Sequence, residues 1–298
     1  MNITERIKQD IRGKFRENVS LKDYNTWKVG GCAQYLYEPY DLEDLKSFLN
    51  ITKKEKITFI GNGSNVLIRD KGVEGYVVCL KDSLNKYYKN NKKQYTFEAG
   101  LSCMKIAQIT AKNNLTGLEF LCGIPGSLGG ALRMNAGCNN GSIWENVLNV
   151  TIINKEGALI KKYKKDFDIS YRNVNLENGN FFISAKFDLV ENELNNSEDI
   201  IKKFLKDRRA NQPTGLPSCG SVFKNPKDNY AASLIESLGL KSHRIGGAYI
   251  SEKHANFIIT EKNSKSDDVE DLISHIQKKV FEKMNILLET EVKFIGKK

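Results

Sequence analysis

A glycine-rich segment, residues 117–137, constrains the fold of this chain more than any other feature of its sequence. Six glycines stand among these 21 residues, at positions 117, 123, 126, 129, 130 and 137. Glycine adds no side chain to a core and loses more backbone entropy on folding than other residues, so one turn does not explain this density. The segment therefore predicts backbone that closely approaches a flat or phosphorylated ligand. It lacks the GxxxxGK[ST] spacing of a P-loop, which excludes that class of nucleotide triphosphatase.

A second glycine-containing segment, Gly61-Asn-Gly-Ser-Asn65, lies between the apolar runs Ile57–Ile60 and Val66–Ile68. This arrangement predicts a tight loop between two strands. A Rossmann dinucleotide turn requires a third glycine where Val66 stands and a helix after it, so that class is excluded. Two interpretations remain open: a pyrophosphate cradle built from successive backbone N–H groups, and a plain β-hairpin turn.

Cysteine spacing and charge exclude several other classes. The six cysteines are at least 16 residues apart, so no CxxC pair is available for zinc, an iron–sulfur cluster or a redox dithiol, and we expect no metal. No uncharged apolar run approaches the ~18 residues that cross a bilayer, so we expect a cytoplasmic protein with reduced thiols. The net charge of +10 gives only the sign of a partner, which leaves nucleic acid and an anionic small molecule open.

The spacing of apolar residues predicts an α+β fold. Asp41, Ser102 and Ser197 are expected to cap helices, and 147–153 with 158–162 is expected to form a hairpin. Further predicted elements are strands over 57–60, 75–80, 95–98, 181–190 and 286–295, and helices from residue 197, over 231–238 and over 267–284. The polar stretch 192–199 predicts a domain boundary. Mixed helices and hairpins favour α+β over a regular doubly wound sheet.

Several motifs, in this order, make the chain resemble the UDP-N-acetylenolpyruvoylglucosamine reductases over nearly its whole length. Together they are far more specific than any one of them. They are Asn25-Thr-Trp-Lys-Val-Gly-Gly31, Gly61-Asn-Gly-Ser-Asn-Val-Leu67, residues 117–137, Tyr171-Arg172, Arg208-Arg209, Gln212-Pro213, Pro217-Ser-Cys-Gly-Ser-Val-Phe-Lys-Asn-Pro226, His254-Ala-Asn-Phe257, Glu289-Thr-Glu-Val292 and Gly296. The length fits the shorter subclass of this family, which lacks an inserted tyrosine-bearing loop.

The resemblance implies the vanillyl-alcohol-oxidase-like (PCMH-type) FAD-binding fold with a C-terminal α+β substrate domain. Residues 1–195 would hold FAD in two subdomains, approximately 1–75 and 76–195, and residues 196–298 would bind the substrate. The implied activity is that of a UDP-N-acetylmuramate dehydrogenase. NADPH reduces non-covalent FAD, and the enolpyruvyl group of the UDP-sugar is then reduced to UDP-N-acetylmuramate for peptidoglycan synthesis, cell shape and cell division. The implied partners are these small molecules, with no nucleic acid and no membrane insertion, and we expect a monomer.

The resemblance also assigns roles to individual residues. The catalytic candidates are Arg172 for the substrate carboxylate, Ser221 as proton donor and Glu291 as a second acid. The cofactor-binding candidates are Gly61, Asn62, Gly63, Ser64, Asn65, Gly123, Ile124, Pro125, Gly126, Ser127, Gly130, Asn135 and Ala136. The substrate-binding candidates are Arg209, Lys224 and Asn225. From the residues alone, a surface arginine, a turn serine and a solvated glutamate are the more common explanations of these three positions, and only the resemblance favours the catalytic roles.

Two positions depart from the family pattern, and the choice between two glutamates as the catalytic acid depends on that pattern. Val174 stands where a serine is usual, which puts a hydrogen bond behind Arg172 in doubt, and Asn211 stands where many relatives have lysine. In an alternating strand Glu289 and Glu291 share the polar face, so periodicity does not choose between them. The family pattern selects Glu291, which precedes Val292.

Three other functions remain open at this point. One is a related FAD-dependent oxidase or dehydrogenase that acts on an alcohol or lactone, in which Ser221 and Glu291 would have no role. Another is a basic nucleic-acid-binding protein, although no recognised nucleic-acid-binding motif accompanies the charge. The third is a flavin-binding protein that has lost catalysis.

Overall fold

The computed structural model describes residues 3–298, and the chain divides into two compact units. Unit 1 comprises the chain up to residue 17, residues 35–62 and residues 75–207, and unit 2 comprises residues 18–34, 63–74 and 208–298. The chain therefore passes from unit 1 to unit 2 within the Gly61–Asn65 loop. The predicted boundary at 195/196 concerns which residues bind cofactor and which bind substrate, and it stays a prediction.

Helices and strands alternate irregularly along the described residues. The helices are α1 (Ile3–Asp10), α2 (Leu42–Thr52), α3 (Cys103–Lys112), α4 (Leu128–Arg133), α5 (Ser197–Asn211), α6 (Ala231–Ser237) and α7 (Ser266–Met284). The strands are β1 (Lys14–Ser20), β2 (Cys32–Glu38), β3 (Ile57–Ile60), β4 (Val66–Ile68), β5 (Val73–Cys79), β6 (Tyr87–Lys89), β7 (Gln94–Glu98), β8 (Leu115–Thr116), β9 (Gly137–Cys138), β10 (Gly141–Ser142), β11 (Val147–Ile153), β12 (Leu159–Tyr163), β13 (Ile169–Ser170), β14 (Asn173–Val174), β15 (Phe181–Asp188), β16 (Val190–Glu191), β17 (Arg244–Ile245), β18 (Ala248–Ile250), β19 (Ile258–Thr260) and β20 (Lys293–Ile295).

Unit 1 contains two sheets and two apolar cores. A four-stranded sheet has the order β1-β2-β5-β3, with β3 and β5 parallel, and its core includes Leu45 and Phe48 of α2. A five-stranded antiparallel sheet has the order β12-β11-β15-β7-β6. Its core includes Ile106 of α3 and Leu132 of α4. This second core supports the glycine-rich segment.

Unit 2 is built around the long helix α7. Leu272 and Ile276 of α7 are fully buried together with Trp27 and Val222. The antiparallel strands β17-β18-β19 and the parallel pair β20-β4 complete the unit. The Trp27 indole N–H donates to the Ile258 carbonyl at 2.7 Å, which ties the Asn25–Gly31 motif to β19.

Most of the predicted elements are confirmed, including the α+β class and the caps at Asp41 and Ser102. The cap predicted at Ser197 is wrong, because Ser197 is the first residue of α5 and its hydroxyl donates to the Leu115 carbonyl and to the Glu119 carboxylate. Asp41 Oδ1 accepts from the Asp44 N–H at 2.9 Å, and Ser102 Oγ accepts from the Lys105 N–H at 3.3 Å. The hairpin interpretation of the Gly61–Asn65 loop is wrong, because β3 pairs with β5 whereas β4 pairs with β20.

The predicted closing strand over 286–295 is wrong for most of its length, since only Lys293–Ile295 is a strand. Backbone groups before it bond instead to the chain around Val222, as in the Glu291 N–H to Val222 carbonyl bond of 2.8 Å. The predicted alternation is nevertheless present, because Leu288 and Val292 are buried whereas Leu287 and Glu289 are exposed.

Over residues 3–298, we find no helix with the length and apolar content that a membrane span requires. The same residues form no group of three or more histidine, cysteine, aspartate or glutamate side chains placed to hold a metal ion.

Candidate active site

Gly61 and Ser127 bring the two glycine-containing segments together within unit 1. A Cβ atom at Gly61 would lie 2.4 Å from Ser127 Oγ, so the loop passes too close for a larger residue. Ser127 is 2 % exposed. Its hydroxyl makes no hydrogen bond to any described residue. The sequence prediction that both segments belong to one site is consistent with this contact.

Backbone N–H groups of these loops are available to a ligand. Within residues 3–298, the N–H groups of Gly61, Asn62, Gly63 and Ser64 donate no hydrogen bond. Part of the glycine-rich segment is fixed to the preceding chain, because the Leu128 N–H donates to the Leu101 carbonyl at 2.9 Å. Fixed backbone with unused donors suits an anion such as a phosphate.

Gly130 has no structural reason to be glycine. It lies in α4, and a Cβ atom built on it would meet nothing within 4 Å. Glycine inside a helix is less stable than alanine by roughly 0.5–1 kcal/mol, so the protein alone would favour a larger residue here. A ligand that approaches this backbone explains the glycine, and these residues fit the FAD that the family resemblance implies.

The other predicted cofactor residues in unit 1 surround α4. Gly123 faces Cys138, with a Cβ-to-Sγ distance of 2.9 Å for an added Cβ atom. Ile124 and the exposed Pro125 connect it to Gly126. The Asn135 side chain is engaged within the protein. Its amide N–H donates to the Ser170 carbonyl at 3.0 Å, and its oxygen accepts from the Ser142 hydroxyl at 2.7 Å. The Ala136 N–H donates to the Ala131 carbonyl at 2.9 Å.

Arg172 occupies a strained position in the turn between β13 and β14, which we call the Arg172 hairpin. Ser170 and Asn173 are paired across it, so Tyr171 and Arg172 form a two-residue turn. Arg172 has φ of +56°, a conformation that is rare for residues other than glycine and that clusters at functional sites. Its Nη2 donates to the Gly137 carbonyl at 2.6 Å, and its guanidinium lies 5.0 Å from the Tyr171 ring centroid. These contacts fix the guanidinium beside the glycine-rich segment.

Val174 cannot replace the hydroxyl that the family usually has at this position. Its side chain is fully buried in the core of unit 1. Its carbonyl accepts from Arg133 Nη1 at 2.7 Å, so Arg133 and Asn135 both hold the Arg172 hairpin against α4.

In unit 2, residues 219–224 lie outside the helices and strands, and we call them the Ser221 segment. Val222 and Phe223 are buried, whereas Ser221 is half-buried. The Ser221 hydroxyl makes no hydrogen bond to the described residues, so it is available to a ligand. Gly220, with φ of +71°, allows the chain to turn immediately before Ser221.

The chain that carries Glu291 runs beside the Ser221 segment. The Glu291 N–H donates to the Val222 carbonyl at 2.8 Å, and the Asn65 amide donates to the Glu291 carbonyl at 3.1 Å. Glu289, by contrast, forms an ion pair with Lys224, whose side chain is 15 % exposed. The two glutamates therefore differ in the contacts described here: the Glu289 carboxylate pairs with Lys224, whereas the Glu291 backbone bonds to Val222 and Asn65.

Two of the predicted substrate-binding residues, Asn225 and Arg209, bond to chain segments other than the Ser221 segment. The Asn225 side-chain oxygen accepts from the Ala231 N–H at 3.1 Å, at the start of α6. Arg209 is exposed near the end of α5, and its carbonyl accepts from the Lys253 ammonium group. The contacts of the described residues therefore bring Ser221, Lys224 and Glu291 together but do not bring Arg209 to them.

The sequence prediction missed two residues that hold the Ser221 segment. The Cys219 thiol lies 3.2 Å from the Thr26 hydroxyl and 3.4 Å from the Val66 carbonyl. Burial raises the pKa of Cys219 to about 11, so it stays a thiol at neutral pH. Asn256 bonds to Phe223 through its side chain. The motif around His254 contained Asn256, but nothing in the pattern of residues gave it a role.

Two family models match the chain. Residues 212–295 match the model described as UDP-N-acetylenolpyruvoylglucosamine reductase, C-terminal domain, and residues 33–162 match the model described as FAD binding domain. Among curated relatives, the UDP-N-acetylenolpyruvoylglucosamine reductase of Legionella pneumophila (strain Corby) is 43 % identical over 289 residues. That of Methylococcus capsulatus is 41 % identical over 286 residues. Each alignment covers 96 % of this chain and 94 % of the relative.

Solved structures show the same likeness. The crystal structure of UDP-N-acetylenolpyruvylglucosamine reductase from Thermus caldophilus has a TM-score of 0.81 and 30 % identity, covering 96 % of this chain and all of that chain. The glucose dehydrogenase Phl p 4.0202 has a TM-score of 0.51 at 16 % identity, covering 64 % of this chain and 44 % of its own, which shows a likeness of fold alone. The predicted FAD-binding fold of the vanillyl-alcohol-oxidase type, with its C-terminal domain, is thereby confirmed.

Proposed function

The chain belongs to the UDP-N-acetylenolpyruvoylglucosamine reductase family, and we propose that it reduces the enolpyruvyl group of UDP-N-acetylglucosamine-enolpyruvate to UDP-N-acetylmuramate. This reaction is a step of peptidoglycan synthesis. When bound, FAD carries two electrons from NADPH to the enolpyruvyl double bond. The residues of the chain bind the reactants, stabilise the charge that develops and supply a proton.

The proposed FAD-binding residues are those of the Gly61–Asn65 loop, Gly123–Ser127, Gly130, Asn135 and Ala136. Support comes from the unused backbone N–H groups of the loop and from the open side of Gly130. Backbone donors of this kind bind a pyrophosphate without a covalent link. The fixed contact between Gly61 and Ser127 prepares this surface before the cofactor binds.

Arg172 is proposed to bind the carboxylate of the enolpyruvyl group. Addition of hydride to the outer vinyl carbon places negative charge on the inner carbon and on this carboxylate, so a fixed cation beside it stabilises the transition state. A planar guanidinium suits a carboxylate that gains charge. The Gly137 carbonyl and the Tyr171 ring hold this guanidinium in place, which favours it over a mobile surface arginine.

Ser221 is proposed to deliver the proton to the inner carbon, and the alkoxide then recovers a proton from water. A serine hydroxyl is a weak acid, but the carbanion that it protonates is a strong base, so the transfer is favourable. Glu291 is proposed as the second acid at the developing charge. Lys224, Asn225 and Arg209 are proposed to bind the polar groups of the UDP-sugar.

One observation carries this assignment: the Ser221 hydroxyl has no hydrogen bond among the described residues, yet the chain on both sides of it is fixed. Ser221→Ala should therefore leave FAD binding and its reduction by NADPH nearly intact, while reoxidation by the enolpyruvyl sugar slows by ~10²–10⁴-fold. Stopped-flow absorbance at the flavin band measures the two half-reactions separately. Reoxidation of Ser221→Ala at the parent rate, or a block in its reduction by NADPH, would refute the role of Ser221.

We further propose that residues 1–195 hold FAD, that residues 196–298 bind the UDP-sugar, and that the protein acts as a monomer in the cytoplasm. The positions of the two matched models, 33–162 and 212–295, support this division of labour. Light scattering during gel filtration measures the oligomeric state, and a dimer mass at micromolar concentration would contradict the monomer.

A further inference from the structure

The side-chain amide of Asn256 bonds to both backbone groups of one buried residue, Phe223. The Phe223 N–H donates to Asn256 Oδ1 at 2.9 Å, and Asn256 Nδ2 donates to the Phe223 carbonyl at 2.9 Å. The Val222 N–H donates to the Asn256 carbonyl, also at 2.9 Å. Asn256 therefore takes the place of a neighbouring β-strand along one edge of the Ser221 segment.

The opposite edge of the Ser221 segment is held by the chain that carries Glu291. The Val222 carbonyl accepts from the Glu291 N–H at 2.8 Å, and the Lys224 N–H donates to the Glu289 carbonyl at 2.9 Å. These bonds do not use the N–H or carbonyl of Phe223. Asn256 is thus the partner of both Phe223 backbone groups among the described residues.

Burial makes these two bonds difficult to replace. Phe223 is 1 % exposed and Asn256 is 4 % exposed. A buried backbone donor and acceptor that lose their partner must find another one, so the segment must shift towards water if the amide is removed. Ser221 lies only two residues before Phe223, so a shift of the Phe223 backbone shifts Ser221 as well.

From this geometry we propose that Asn256 is a positioning residue that holds the Ser221 hydroxyl where it can deliver its proton. The proposal rests on the proton-donor role proposed for Ser221. Asn256 acts only through the backbone of the Ser221 segment. A misplacement of about 1 Å is enough to slow a positioned reaction by ~10²-fold.

The test measures both half-reactions of the FAD-loaded protein by stopped flow in Asn256→Ala, Asn256→Asp, Ser221→Ala and the double variant. Asn256→Ala should slow reoxidation by the enolpyruvyl sugar by ~10–100-fold and change reduction by NADPH by less than about twofold. Asn256→Asp keeps an acceptor for the Phe223 N–H but sets a carboxylate oxygen against the Phe223 carbonyl, so it should also slow reoxidation and leave reduction by NADPH nearly unchanged. If Asn256→Ala does not fold, Asn256→Asp supplies the test, and reoxidation at the parent rate in Asn256→Asp would refute the proposal.

A matched control separates positioning from stability. Ser264 is 4 % exposed, and like Asn256 its side chain bonds to one backbone donor and one backbone acceptor of unit 2, the Glu261 N–H and the Gly247 carbonyl. Neither bond involves the Ser221 segment, so Ser264→Ala should lower the melting temperature and leave reoxidation unchanged. If Ser264→Ala slows reoxidation as much as Asn256→Ala does, stability alone explains the effect and the proposal is wrong.

The double variant distinguishes this proposal from the function on which it rests. In the Ser221→Ala background, Asn256→Ala should change reoxidation by less than about twofold, because the group that it positions is absent. If the two effects multiply fully while Ser221→Ala is slow, the role of Asn256 is wrong and that of Ser221 stands. If Ser221→Ala reoxidises at the parent rate, both roles are wrong.

Discussion

Replacement of Gly130 by alanine should raise the stability of the apoprotein and weaken FAD binding at the same time. An added Cβ atom meets nothing within 4 Å, and the position is exposed within α4. Alanine is more stable than glycine inside a helix by ~0.5–1 kcal/mol. At roughly 2–4 °C per kcal/mol for a chain above about 150 residues, the apoprotein should melt ~1–4 °C higher.

The same methyl group should interfere with the cofactor. If the FAD pyrophosphate lies against the Gly130 backbone, the methyl group overpacks this contact by ~1–3 kcal/mol. Since 1.4 kcal/mol is tenfold in affinity, the dissociation constant for FAD should rise by ~5- to 150-fold. Calorimetry of the apoprotein gives the melting temperature, and titration with FAD gives the dissociation constant.

Gly129→Ala in the same helix is the control. Its added Cβ atom would lie 3.1 Å from the Ala99 Cβ, so this variant should not gain stability. Helix propensity alone explains a higher melting temperature of Gly130→Ala but not a weaker binding of FAD. A Gly130→Ala protein that is more stable and binds FAD as tightly as the parent would show that the cofactor does not approach this backbone.

Three further predictions concern Arg172, Glu119 and the loop at Asn62. Arg172 has φ of +56°, which glycine adopts more easily than alanine, so Arg172→Gly should be more stable than Arg172→Ala by ~1 kcal/mol. Both variants should slow reoxidation equally, because both lack the guanidinium. Equal melting temperatures of the two variants would argue against backbone strain at this position. Burial raises the pKa of Glu119, but hydrogen bonds from Ser197, Thr116 and backbone N–H groups outweigh it, so the net pKa is lowered. The stabilisation by Glu119 is therefore present above the ordinary glutamate pKa of ~4.3 and is lost as the pH falls through the lower folded-state value. Glu119→Gln should lower stability at pH 7 by ~1–3 kcal/mol and flatten the acid limb of a plot of melting temperature against pH, whereas a parallel limb would exclude this role. Asn62→Pro should fold but lose FAD, and equal flavin content in mutant and parent would show that the loop is misassigned.

Local signals in the sequence predicted five of the seven helices over residues 3–298, namely α2, α3, α5, α6 and α7, but not α1 or α4. Asp41 and Ser102 cap α2 and α3 through hydrogen bonds to residues three positions later in the sequence, so these caps depend only on neighbouring residues. The hairpin of β11 and β12 depends on a short loop and was equally predictable. These elements need no information from distant parts of the chain.

Pairing between distant segments was not predictable from local patterns. The residues before Lys293 alternate as a strand does, but their backbone groups bond to the chain near Val222, about 70 positions earlier in the sequence. The Gly61–Asn65 loop resembled a hairpin turn because its flanking strands gave no sign that β4 pairs with β20.

The candidate site was predicted only in part for the same reason. Glycine density and the family resemblance identified the loops, and Ser221, Lys224 and Glu291 do lie together in unit 2. The roles of these residues remain predictions. The support from Asn256, and the positive φ of Arg172, arise from contacts between segments that no periodicity encodes.

The proposed reaction can be followed in the visible spectrum of the purified protein under argon. The protein should be yellow, acid should release its flavin, NADPH should bleach the flavin band, and the colour should return when the UDP-enolpyruvyl sugar is added. One UDP-N-acetylmuramate should form per flavin in this single turnover. If NADPH does not bleach the flavin band, or if oxygen restores the colour but the sugar does not, the protein does not catalyse this reaction.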